Sequence, residues 1–318
     1  MRGNPARAPK PKRPLPELRP RTVGDILDAS VKVWGANIRK FAILAGILVL
    51  PFQFLGALVL KLMKPTVYDE VKRVQDLAGK GVKANMDITP RMMIGTLADF
   101  ALGSLGTVLV VVAMAYVVGE LYRSPSQSAR SDQDPVTVIG AVLRRTHVAY
   151  AALFASVVIS VLAGLAITVP LGVVGELAGL PIVSVSAGVF GAVALWVSLL
   201  VLRCAAPAIV IESTGVVATL KRSVFLARRQ RRFIVVSTVV LVLVTGIPNA
   251  LLTEMVRSLL TALGGNNGAF DFVWVGTAKT VATAFSAPLA AIGAVYIYLT
   301  LRIRAGETVS PWPTPVDA

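Results

Sequence analysis

The chain has 318 residues and a formal charge of +15, and 55 % of its residues are hydrophobic against only 15 % charged. Soluble domains carry about 25 % charged residues, so an ordinary soluble monomer is excluded. A basic chain of mean hydropathy +0.72 suits a bilayer with an anionic inner leaflet, and no nucleic-acid partner is expected.

Residues 1–21 alternate proline (Pro5, Pro9, Pro11, Pro14, Pro16, Pro20) with arginine and lysine. Proline removes donors and clashes with helical neighbours, so this stretch predicts a disordered basic arm. Such an arm either binds anionic headgroups, at about 1 kcal/mol per basic residue near the surface, or is a solvated tail that enforces topology. Next comes a segment that opens with Thr22–Leu27, in which Val23, Leu27, Val31, Trp34 and Ile38 share a helical face and Asp28, Lys32, Asn37 and Arg39 fall largely elsewhere. The first apolar window, Phe41–Leu60, begins too late for a cleavable signal peptide and is expected to remain in the product.

Five further windows supply the roughly 20 apolar residues that a membrane helix needs: Leu97–Leu121, Val148–Val169, Ile182–Leu202, Phe233–Leu252 and Val281–Leu301. Val136–Leu143 and Thr214–Leu220 read like Thr22–Leu27, and each precedes a basic patch and then a span. Asp134 and Pro135 offer an N-cap and a first-turn proline to the second copy, and Ser213 or Thr214 can cap the third. The expected fold is all-α and polytopic. Residues 22–304 would form three repeats of an interfacial amphipathic helix plus a transmembrane hairpin, ahead of a short tail at 305–318.

Lysine and arginine set the orientation. Alternating segments hold 23 on one side and 9 on the other, which places both termini in the cytoplasm of a multi-pass inner-membrane protein. The expected partners are the lipid bilayer, with anionic headgroups at the cytoplasmic face, and an unidentified membrane protein.

Ionisable residues in spans start as functional candidates. Glu120, Arg203 and Arg302 stand at the cytoplasmic ends of the three second hairpin arms and form a candidate inner-mouth cluster, although snorkelling alone also accounts for the arginines. Asp99, one turn inside the second span, is expected to reach the outer interface. Pro51, Pro170, Pro207, Pro248 and Pro288 are either ordinary kinks or the broken helices of a transport site.

Leu18–Pro20, Gly24–Ala29, Ala206–Glu212 and Leu220–Ser223 resemble the actinobacterial six-span proteins described as glycerophosphoryl diester phosphodiesterase membrane domain-containing, a family of largely unknown function. The matching motif positions are Gly24, Asp25, Asp28, Pro207, Glu212, Arg222 and Ser223; Val224 departs from the aromatic residue often found there. Some relatives carry a fused soluble phosphodiesterase domain, which these 318 residues do not contain. That chemistry uses paired histidines and carboxylates around a metal, whereas His147 is the single histidine and Cys204 the single cysteine. No Walker loop, dinucleotide fingerprint, HExxH or GxSxG occurs, so no catalytic residue, metal or cofactor is expected. The resulting expectation is a non-enzymatic scaffold or assembly component of the membrane. The alternative is a transporter or permease-like protein for a lipid or small solute. A dry bundle interior would favour the first, and a hydrated midplane cavity bounded by proline-kinked helices the second.

Overall fold

The computed structural model describes residues 14–65, 67–80, 90–123, 129–130, 134–177, 204–212, 215–260, 262 and 271–307. These residues form helices α1 (Val23–Leu62), α2 (Val67–Gly79), α3 (Pro90–Arg123), α4 (Pro135–Leu177), α5 (Ala205–Glu212), α6 (Val216–Arg229), α7 (Arg231–Leu260) and α8 (Asp271–Arg304), with no strand among them. Four helices among the described residues, α1, α3, α7 and α8, are long and apolar enough to cross a membrane. The expected third span lies within α4, and the expected fourth, Ile182–Leu202, lies outside the described residues.

Local chemistry explains where α1 starts. Thr22 Oγ1 accepts from Asp25 N at 3.2 Å while an Asp25 carboxylate oxygen accepts from Thr22 N at 3.0 Å, a reciprocal capping box that satisfies two orphan donors. The residues from Val23 then run into the first apolar window as one helix, with non-helical backbone only at Asn37, whose φ is −128° and ψ is 16°. There the Asn37 carboxamide donates to Val33 O at 2.9 Å and to Ala129 O at 2.6 Å. A similar break separates α6 from α7 at Gln230, with φ −131° and ψ 44°. Pro135 opens α4, as expected, with Val138 N donating to Asp134 O. The third predicted cap is not the one used: Gly215 is the N-cap of α6 and makes no side-chain cap bond. The charged loop after the first span also holds a helix of its own, α2.

The core sits around α8. In its most apolar stretch 78 % of residues are buried, against 28 % in α7, so α8 is central and α7 peripheral. Helix α1 packs antiparallel on α8, with Gly46 against Ala284, Phe54 against Gly276 and Lys61 over the Phe272 ring. Leu44, Leu48, Val110, Met114, Ile209, Leu241, Ile292 and Leu299 fill the interior. Outward, α1 exposes Ile43, Ile47 and Leu50, and α7 exposes Leu243, Ile247 and Leu251, an apolar surface that water covers at a cost and lipid does not.

Disorder over the whole of residues 1–21 is not what the structure shows. Residues 1–13 lie outside the described residues, but 14–21 are seated on the bundle end. Leu15 and Leu18 pack on the core, Tyr122 Oη donates to Pro16 O at 2.6 Å, and the buried Arg21 guanidinium lies 5.1 Å from the Tyr296 ring centroid. Arg304, itself 4.0 Å from the Phe233 ring centroid, donates to Arg21 O at 2.7 Å. Residues 14–21 form no helix, yet Leu15, Leu18 and Arg21 find apolar and aromatic partners that periodicity cannot reveal.

Candidate functional site

Two polar constellations stand at opposite ends of the bundle. The first belongs to a cavity of about 770 Å³ bounded by residues of α1, α3, α4, α5, α7 and α8. Near one end Lys279 of α8 donates to both carboxylate oxygens of Asp99 of α3, each at 2.8 Å. Both side chains are about a quarter exposed, 24 % and 22 %. Gly56 of α1 makes room for this pair, because a Cβ there would stand 2.5 Å from Asp99 Oδ1. Asp99 therefore does not merely reach the interface, as expected from its position in the second span; it meets a cation on another helix.

From the ion pair the wall changes character along the helices. Gln53, Asn249, Thr253 and Glu254 lie towards the charged end, whereas Val108, Val111, Ile209, Ala291 and Ala294 lie deeper. Lys279 and Ala294 are 15 residues apart on α8, so the cavity extends about 22 Å along it at 1.5 Å per residue. Pro51, Pro248 and Pro288 lie inside α1, α7 and α8, each within two residues of a lining residue (Gln53, Asn249 and Ala287). The Asn249 carboxamide oxygen is buried without a hydrogen-bond partner.

The second constellation is a closed ring of alternating charge at the far end of α8. Arg222 of α6 contacts Glu212 of α5 at 3.1 Å and also pairs with Glu307, while Arg302 contacts Glu307 at 2.9 Å and Glu212 at 3.5 Å. Tyr298 donates its hydroxyl to Glu212. The ring exists because α8 ends in a Schellman turn: Glu307 N donates to Arg302 O, Gly306 N donates to Ile303 O, and Gly306 takes φ +85°. That reversal swings Glu307 back over the helix end. Burial pushes its carboxyl pKa up, but bonds to Arg302 and Arg222 win and hold it below the ordinary carboxylate value. The same carboxylates hold the Arg222 guanidinium pKa above its usual value against the opposing effect of burial.

Of the candidate cluster of Glu120, Arg203 and Arg302, Arg302 joins an ion-pair cluster with Glu212 and Glu307, Glu120 is half-buried on α3, and Arg203 lies outside the described residues. Among the motif positions, Glu212 and Arg222 meet directly, Ser223 and Pro207 are buried, Asp25 closes the capping box, and Gly24 and Asp28 stay exposed at the start of α1. His147 is exposed on α4. Among the described residues no group of three or more His, Cys, Asp or Glu is placed to hold a metal ion. No family model, curated protein or solved structure matches the chain.

Proposed function

We propose that this chain is an integral protein of the cytoplasmic membrane that takes a lipid or small solute into its central cavity, as a non-enzymatic transporter or permease-like protein. The observation that carries this reading is the cavity itself: about 770 Å³, ion-paired at one end and apolar at the other, among proline-bearing helices. Small-molecule sites span about 300–1,000 Å³ and combine an apolar lining with a few placed polar groups. A scaffold has no need to keep an Asp–Lys pair beside open space, because charge within the hydrocarbon layer is costly. The cavity therefore favours the alternative function over the scaffold that the sequence puts first.

The same proposal retains six spans, cytoplasmic termini and three repeats. The breaks at Asn37 and Gln230, each just before the phenylalanine that opens a span, support the repeat. Exposed Val31, Ile38, Val217 and Phe225 support interfacial placement of the amphipathic segments. Exposed Lys221, Arg228, Arg229, Arg231 and Arg232 support contact with anionic headgroups. The Glu212–Arg222 pair gives the shared motif a structural role and supports kinship with the six-span family.

Water access tests the proposal. With Cys204→Ala as background, Ser286→Cys should react with a small, charged thiol reagent in reconstituted vesicles. A second substitution that fills the cavity, Ala290→Trp, should slow that reaction about tenfold or more. Reaction only with a lipid-soluble reagent would mean a dry interior and return the scaffold reading.

A further inference from the structure

We propose that residues 14–21 gate the end of the cavity remote from Asp99 and Lys279, an inference that rests on the cavity being a site for a lipid or small solute. The two ends differ in access. At the charged end Glu254 lines the wall with its side chain 61 % exposed, and Asp99 and Lys279 keep about a quarter of their side-chain surface. Towards the other end the last described lining residue of α8 is Ala294, and every residue from Ala294 to Leu301 is at most 3 % exposed. That stretch makes about two helical turns, so α8 is enclosed there on all sides. One end of the cavity is open and the other is sealed.

Part of the seal is not a helix. Leu15 and Leu18 pack on the core, and the buried Arg21 lies over the Tyr296 ring, about half a turn of α8 beyond Ala294. Hydrogen-bond direction ties the same segment to the bundle. The Pro16 carbonyl can only accept, so Tyr122 gives it its one hydroxyl proton and accepts in turn from Tyr296 Oη, 3.1 Å away. Arg304 adds its bond to Arg21 O. Tyr296 and Arg304 belong to α8, which also carries Lys279 and the lining residues Ala287 and Ala294. A single helix therefore forms cavity wall and holds the segment over the sealed end. Residues 15–21 have no helix or strand of their own, and α1 begins only behind the capping box of Thr22 and Asp25. The segment can thus leave Tyr296 without unwinding α1, whereas the ring of Glu212, Arg222, Arg302 and Glu307 binds helix to helix. Opening one end of a central site while the other is shut is what alternating access requires.

Sided labelling tests the gate. Ser286→Cys in the Cys204→Ala background is exposed to a membrane-impermeant, charged thiol reagent in intact cells and in inverted membrane vesicles, so that each face of the membrane is sampled alone. Reaction is expected from the face remote from the N-terminus, and reaction at least tenfold slower from the face that carries it. Arg21→Ala should raise the slow rate about tenfold. Tyr122→Phe, a milder change that keeps the ring and loses the bond to Pro16 O, should raise it severalfold. Neither should alter the fast rate, whereas general loosening of the bundle would raise both. A slow rate that is unchanged in both variants, or that rises only together with the fast one, overturns the gate while leaving the cavity accessible. Fast reaction from the N-terminal face before either change overturns the seal, and with it the gate. No reaction from either face overturns the reading of the cavity itself.

Discussion

At Gly56, a hydrogen in place of a methyl group lets Asp99 reach Lys279, since a Cβ there would lie 2.5 Å from the carboxylate. Gly56→Ala should therefore push Asp99 aside and leave an ammonium facing the cavity without its partner. Breaking a buried pair costs about 3–5 kcal/mol and an exposed one about 0–1 kcal/mol. A pair about a quarter exposed belongs between, so a loss of about 2 kcal/mol is expected in thermal or denaturant unfolding in mild detergent. Adding Asp99→Ala to Gly56→Ala should cost little more; fully additive losses would show that Gly56 does not act through Asp99. The sequence displays both charges at similar depth, Asp99 just inside the second span and Lys279 at the mouth of the sixth. Depth follows from counting residues, whereas which way a side chain faces around its helix depends on packing that neither segment encodes alone. Asn37 teaches the same lesson: placed with the polar side of the first amphipathic segment, it is only 5 % exposed because its carboxamide ties two backbone carbonyls.

Among elements, the ring of Glu212, Arg222, Arg302 and Glu307 fastens α5, α6 and the end of α8. Arg222→Ala leaves two carboxylates to share one arginine and should cost about 2 kcal/mol, discounted from the fully buried case because these side chains are about a fifth exposed. In a cycle with Glu212→Ala the double change should cost measurably less than the sum of the single ones. Glu307 adds a dependence on pH. Its folded pKa lies below its unfolded value, so its contribution is complete above the ordinary carboxylate pKa and is lost as pH falls through the depressed one. The destabilisation by Arg222→Ala should shrink in acid accordingly, and an acid-independent difference would mean that Glu307 takes no part. Three ring members are visible in the sequence, Glu212 and Arg222 through the motif and Arg302 through its place at a helix end. Glu307 is not, because residues 305–318 read as a tail; the available signal was Gly306, the residue type that ends helices in a left-handed turn.

At the scale of the whole molecule, apolar windows locate helices well and their ends poorly. α8 begins at Asp271, ten residues before the predicted span, because a polar start that includes Lys279 lowers hydropathy without interrupting the helix. Orientation rests on charge counting, and two open positions report on it. Gly79 and Gly215 have nothing within 4 Å of a built Cβ. With Cys204→Ala as background, Gly79→Cys should label in intact cells with an impermeant maleimide and Gly215→Cys only after permeabilisation. Labelling of both before permeabilisation would sink the six-span topology. The pairing of α1 with α8 sets a timetable for the making of this protein. Gly46, Phe54 and Lys61 wait for Ala284, Gly276 and Phe272, roughly two hundred residues later in the chain. At about 5–20 residues per second, the first helix spends on the order of 10–40 s of synthesis without its principal partner. During that interval lipid, or whatever guides insertion, must cover the face of α1 that α8 will occupy, so the last helix to be made closes both the core and the cavity wall.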